Sequence, residues 1–198
     1  MSVRLPGQAK VVVVAGSAGA FPIILRLARS LDRPAQSALF VIYHRAGDFD
    51  FQFQPFMPPD GFLAVQAREG VPVQAGRMYF PHLSDDLEVR HGSLRVHAPR
   101  QRAHPSIDRL LVSLAHEYGP RLLAVLLSGY LRDGVLGLQA VRLQGGKTIV
   151  QHPADALVQD LPTNAIRAGV ADEVLDQQAI LAKVHRILTA DAPPGLER

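Results

Sequence analysis

Directly behind the apolar run Val11-Val12-Val13-Val14 stand Ala15-Gly16-Ser17-Ala18-Gly19, a lone serine among small residues where a buried strand gives way to a helix. A nucleophile at such a turn needs small neighbours, because a side chain beside it would block the approach of a substrate carbonyl. A serine hydroxyl is a poor nucleophile until an imidazole takes its proton, and the resulting imidazolium needs a carboxylate to orient and stabilise it. His44, in Tyr43-His44-Arg45, and Asp133, in Ser128-Gly129-Tyr130-Leu131-Arg132-Asp133-Gly134, are of the required types, and each follows a strand-like run. The backbone N–H of Ala18, at the amino end of the following helix, is a candidate oxyanion donor assisted by the helix dipole, and the N–H of Tyr130 is the second.

Each feature taken singly also has a structural use. A glycine-rich turn joins strand to helix, a histidine at a strand end packs through hydrogen bonds, and Asp-Gly makes a turn. Placement of all three at successive strand ends is what favours chemistry, because ligands of open parallel sheets gather at the carboxyl ends of the strands. Phosphate binding is the competing use of the first turn. The segment Gly16-Ser17-Ala18-Gly19 fits neither GxGxxG nor GxxxxGK followed by Ser or Thr, and no acidic residue closes the second strand to hold a ribose. His82, His104, His116, His152 and His185 have no comparable partners in sequence and are read as surface or capping residues.

The elements that must position these residues are legible from hydrophobic pattern. Strands are predicted at Val11–Ala15, Ala38–Tyr43, Leu63–Gln66, Leu122–Leu127 and Lys147–Gln151, several of them apolar throughout and therefore covered on both faces. Helical periodicity spans Phe21–Leu31, Ser106–Tyr118, Val135–Gln144 and Gln177–Thr189. Ser106 caps the second of these helices, with Asp108 in its first turn, and Gly119-Pro120 ends it. Strand and helix alternate, which predicts an α/β fold, a doubly wound, mostly parallel sheet between two helical layers. The stretch from Met78 to Val96 departs from that rhythm: Met78-Tyr79-Phe80, Leu87-Glu88-Val89 and Leu94-Arg95-Val96 are short strands, with Gly92-Ser93 between the last two, and predict a small β-hairpin beside the main sheet. Asp48–Gly61 holds four phenylalanines and three prolines and reads as an ordered aromatic loop after the second strand. One domain over residues 1–190 with a flexible tail at 191–198 is expected.

Composition bounds the rest. With 198 residues, 47% hydrophobic and 20% charged, the chain can bury a sizeable core. It has no cysteine, and its eight histidines show no zinc-binding spacing, so neither a metal nor a cofactor is expected. The N-terminus is unlike a signal peptide and no run approaches the roughly 18 apolar residues of a membrane span, so a cytoplasmic protein without membrane insertion is expected. The net charge of +3 includes a cluster of Arg90, Arg95, Arg100 and Arg102 near His91, His97 and His104. No recognition motif or aromatic ladder accompanies it, and nucleic acid is not expected as a partner.

In that chain order, Ser17, His44 and Asp133 make the sequence resemble the catalytic domain of the bacterial chemotaxis protein-glutamate methylesterases, the CheB type. The resemblance runs through Gly16-Ser17-Ala18-Gly19, Glu69-Gly70 with Ala75-Gly76-Arg77-Met78-Tyr79, Pro105-Ser106-Ile107-Asp108, Leu127-Ser128-Gly129 with Asp133-Gly134, Gly137-Leu138, Gly145 to Gln151 and Leu161-Pro162. It implies a three-layer α/β/α sandwich and hydrolysis of γ-glutamyl methyl esters on the cytoplasmic helices of chemoreceptors, releasing methanol, with a methylated chemoreceptor or a receptor-like protein as the partner; some members also deamidate receptor glutamines. Ser17 would attack, His44 would shuttle the proton and Asp133 would orient His44. A catalytically drifted module that only docks in a chemosensory pathway is the alternative. Members often carry an N-terminal receiver domain; ten residues precede the first strand here, so a stand-alone chain is expected, with a separate response regulator as a conceivable partner.

The sequence departs from the family pattern in four places: Ala20, Leu161, the Asp48–Gly61 loop, and Tyr130-Leu131, where methionine and glycine are usual. Leucine in place of that glycine loses easy access to positive φ, so the loop is expected to place Asp133 or the oxyanion pocket differently.

Overall fold

A computed structural model describes residues 5, 7, 9–32, 36–44, 51–82, 85–98 and 105–189. Seven strands form one parallel sheet in the order β3-β4-β2-β1-β7-β8-β9. They are β1 (Val11–Gly16), β2 (Ala38–Tyr43), β3 (Leu63–Gln66), β4 (Arg77–Phe80), β7 (Leu122–Leu126), β8 (Lys147–Gln151) and β9 (Glu173–Leu175). The antiparallel pair β5 (Asp86–Arg90) and β6 (Ser93–His97) stands apart from it. Five helices complete the fold: α1 (Phe21–Ser30), α2 (Ile107–Tyr118), α3 (Val135–Leu143), α4 (Asp160–Arg167) and α5 (Gln177–Thr189).

The uniform apolarity of β1 follows from its position. All six of its residues are buried, as are all six of β2. Alternate side chains enter two separate cores: Val11, Val13 and Ala15 join α2, α3 and α4, whereas Val12 and Val14 join α1 and α5. A strand with helices on both faces has no polar side to present, and the expected three-layer α/β/α arrangement is what forms.

Two sequence expectations are corrected. Met78-Tyr79-Phe80 does not belong with the hairpin; as β4 it lies inside the main sheet, paired with both β2 and β3. The hairpin itself turns at His91-Gly92, since Arg90 pairs with Ser93 and both turn residues have positive φ, 52° and 70°. That is the geometry of a two-residue hairpin whose twist matches its strands. Glu117 accepts from the N–H groups of both turn residues, at 3.0 and 2.7 Å. Half of the basic cluster is neutralised within this region, Arg90 by Glu88 and Arg95 by Glu69; Arg100, Arg102 and His104 lie outside the described residues.

The aromatic loop is ordered where it is described. Phe51 stacks on Phe56 with centroids 5.3 Å apart and meets Phe21 edge-on at 4.8 Å, while a 3₁₀ turn at Gln54–Phe56 accommodates Pro55. Phe53, 1% exposed, packs on Phe80. Residues 45–50 and 190–198 lie outside the described set. No helix among the described residues is long and apolar enough to cross a membrane.

Candidate active site

The chain winds outward from β1 to β3 on one side, returns to place β7 against the other side of β1, and continues to β9. The strand order therefore reverses between β1 and β7, where ligands of doubly wound sheets bind. Ser17 is the first residue beyond β1. Its N–H donates to the Ser128 carbonyl at 2.9 Å, tying it to the end of β7. On the opposite flank Gly16 is in register with Tyr43, and the N–H of His44 donates to the Gly16 carbonyl at 3.0 Å. Ser17 and His44 thus leave adjacent parallel strands at the same level, strands whose axes lie roughly 4.8 Å apart.

Asp133 reaches the same rim from the loop between β7 and α3. The His44 imidazole and the Asp133 carboxylate are joined by a 3.0 Å hydrogen bond between Nε2 and Oδ2. An ionised carboxylate only accepts, so Nε2 carries the proton, and in a neutral imidazole Nδ1 is then the unprotonated nitrogen. Burial alone would raise the Asp133 pKa, but the imidazole and the N–H groups of Asp108 and Ile107 outweigh it and hold the carboxyl below its usual range. Those two N–H groups lie 3.0 Å from Oδ1 and 2.9 Å from Oδ2.

Both candidate oxyanion donors have their directions fixed through the carbonyl on the other side of the same peptide. The Ser17 carbonyl accepts from Ala20 N–H at 3.0 Å, towards α1. The intervening peptide is trans, so the Ala18 N–H points the other way. Likewise the Gly129 carbonyl accepts from Leu161 N–H at 2.9 Å, at the start of α4, and turns the Tyr130 N–H away from that helix. Gly129 must be glycine: a Cβ there would stand 2.6 Å from the Cβ of Ser17.

At the position where glycine is usual, Leu131 reaches the positive-φ region despite its side chain. It keeps a φ of 65°, the conformation glycine would adopt, and its carbonyl accepts from Asn164 Nδ2 at 2.7 Å. The cost is backbone strain of about 1–2 kcal/mol; the side chain is 72% exposed. Tyr130 and Leu131 follow Gly129 with exposed side chains, and the exposed Leu157 lies against Gly19.

Three residues to which the sequence assigned no part in the site brace this arrangement. Ser128, fully buried, donates from Oγ to the Ala18 carbonyl at 2.7 Å and accepts from Val158 N–H at 2.9 Å. Beneath it, Gln151 Oε1 accepts from Ser128 N–H at 2.9 Å. Asp108 accepts from Gly134 and Gly137. All three lie in segments that carry the family resemblance, and each is a polar type at a strand end or in a helix's first turn, but neither signal names its partner. Of the remaining histidines, His152 caps a 3₁₀ turn as expected, accepting from Ala154 N–H at 3.2 Å. Among the described residues no group of three or more His, Asp or Glu side chains could hold a metal ion.

Residues 12–184 match the CheB methylesterase family. The chain belongs to that family. A protein-glutamate methylesterase/protein-glutamine glutaminase of Moorella thermoacetica is 30% identical over 202 residues, covering 94% of this chain and 46% of the relative. Protein-glutamate methylesterase FrzG of Myxococcus xanthus is 32% identical over 174 residues, covering 86% of this chain and 52% of its own length. The chain thus spans about half the length of these CheB-family relatives. The crystal structure of the Thermotoga maritima CheB methylesterase catalytic domain superposes with a TM-score of 0.75 at 22% identity, covering 90% of this chain and 98% of that one, so the two share a fold.

Proposed function

We propose that this chain is a serine esterase that hydrolyses γ-glutamyl methyl esters on the cytoplasmic helices of chemoreceptors, releasing methanol. Relatives named both methylesterase and glutaminase make deamidation of receptor glutamines a second reaction of the same site. The observation that carries the reading is the hydrogen bond between His44 and Asp133 at the strand edge next to Ser17, in a chain of the CheB methylesterase family.

In the proposed reaction His44 Nδ1 takes the proton of the Ser17 hydroxyl as Oγ attacks the ester carbonyl. Asp133 holds the imidazole in the required tautomer and stabilises its cationic form. The N–H groups of Ala18 and Tyr130 receive the oxyanion, each worth on the order of 3 kcal/mol in the transition state. His44 then returns the proton to the leaving methoxide, giving methanol and a glutamyl ester of Ser17. Water, deprotonated by the same imidazole, releases the glutamate and restores Ser17. No cofactor enters these steps. A drifted site that only docks is disfavoured by the retention of glycine-like backbone geometry at Leu131.

The test is methanol release from a methylated receptor by the parent and by S17A. The parent should release methanol and S17A should not, and equal rates from the two would remove Ser17 as the nucleophile.

A further inference from the structure

A second carboxylate lies beside the site, and the reaction as written does not use it. Asp108, the second residue of α2, accepts at Oδ1 from the N–H of Gly134 at 2.8 Å and of Gly137 at 2.7 Å, at the start of α3. Asp133, immediately before Gly134, accepts in return from the N–H groups of Ile107 and Asp108 at the start of α2. Each carboxylate therefore caps the helix that the other belongs to or precedes, and the two helices pack directly on one another.

This exchange answers two questions about the site. One is how two carboxylates share a half-buried space. The neighbouring cation is engaged elsewhere: Arg109 turns to Asp86 at 3.1 Å and Glu88 at 2.6 Å. The offsetting charge comes instead from four N–H groups at two helix starts, where the peptide dipoles favour negative charge. Asp108 bears the cost of the arrangement, since burial, followed by the charge of Asp133, raises its pKa despite the two N–H groups it accepts from. The other question is what fixes the backbone that carries Asp133. Gly134, at φ 110°, has no side chain to restrain it, and the peptide joining it to Asp133 is anchored through its N–H to Asp108.

We infer that Asp108 is a positioning residue: by accepting from Gly134 and Gly137 it sets the direction in which Asp133 presents Oδ2 to His44. The inference rests on the proposed esterase reading, and acts through Asp133 without contact to the substrate.

The experiment compares D108A and D108N with the parent in two readouts, steady-state ester hydrolysis and the downfield proton resonance of the His44 imidazole N–H bonded to Asp133. In D108A kcat should fall at least tenfold, towards the roughly hundredfold that a displacement of about 1 Å can cost, with KM within about twofold of the parent, and the resonance should shift or vanish. In D108N, whose amide oxygen accepts from the same two N–H groups, both readouts should stay close to the parent. If D108A does not fold, D108S, too short to reach both N–H groups, replaces it in the comparison. An alanine or serine variant that keeps the parental kcat and the parental resonance overturns the inference, as does a folded D108N that loses both. A parent without esterase activity would instead remove the proposed function, and the resonance alone would still decide the role of Asp108.

Discussion

Replacing Leu131 by glycine should give a more stable protein than replacing it by alanine, the reverse of the usual order. Both variants remove a side chain that is 72% exposed, so they lose the same small amount of packing. They differ in backbone energy alone. At a φ of 65° alanine retains strain of about 1–2 kcal/mol, from which glycine is exempt. Glycine loses about 0.5–1 kcal/mol more than alanine in chain entropy on folding. The balance favours L131G over L131A by roughly 0.5–1 kcal/mol, or about 1–4 °C in Tm for a chain of this size. At an ordinary helix or strand position the same pair would differ by a similar amount with the opposite sign. Urea denaturation of the two variants, with matched slopes, measures the difference. Because glycine adopts this φ without adjustment, L131G should also keep the parental esterase rate. A lower midpoint for L131G than for L131A would refute the reasoning, and with it the claim that this loop keeps its shape under strain.

Other perturbations read the site from different sides. G129A places a Cβ 2.6 Å from that of Ser17; displacement of this proposed nucleophile should cost on the order of a hundredfold in rate and about 1–3 kcal/mol of stability, and a fully active G129A would show that the contact yields freely. S128A leaves the Ala18 carbonyl and the Val158 N–H without their partner and should lower stability by about 1–3 kcal/mol in the same denaturation assay. For Asp133 the folded pKa lies below the unfolded value, so its charge contributes stability above the ordinary carboxylate pKa of about 3.9 and loses it as pH falls through the lowered folded value. The stability gap between parent and D133N should therefore be widest at neutral pH and close in acid, and a gap that stays constant from neutral to strongly acidic pH contradicts the assignment. The rate of D133N should fall by on the order of 10⁴, because the amide favours the wrong imidazole tautomer.

What could be read from the sequence depended on how each element is buried. The strands β1, β2 and β7 were legible because both of their faces meet helices and every residue is therefore apolar or small. The strand β9 was not: it has three residues at the sheet edge, two of them exposed, and no burial pattern to betray it. Helix α4 escaped because Pro162 reads as a breaker, whereas in the first turn its missing N–H would have had no intrahelical partner. Ser17, His44 and Asp133 stood out as candidates because a strand end followed by a reactive side chain is a local signal. The bracing of the site by Ser128, Gln151 and Asp108 is not local. It depends on pairs separated by 23 to 110 residues, and a polar residue in one segment does not announce its partner in another.

The Tyr130-Leu131 segment shows why motif and shape part company here. From sequence, loss of the glycine implied a displaced loop. In the structure the backbone of this loop is held from outside at three points. Leu161 N–H donates to the Gly129 carbonyl, Asn164 Nδ2 to the Leu131 carbonyl, and Gly134 N–H to Asp108. Net hydrogen-bond contributions of about 0.5–1.5 kcal/mol each are together larger than the strain of one residue at positive φ. A loop over-determined in this way tolerates a residue that its own conformation disfavours, and the strain persists because the surroundings leave no other path. The side chain that glycine lacked then projects outward. It is 72% exposed, as Tyr130 and Leu157 are also exposed, so accommodating it requires no space inside the fold.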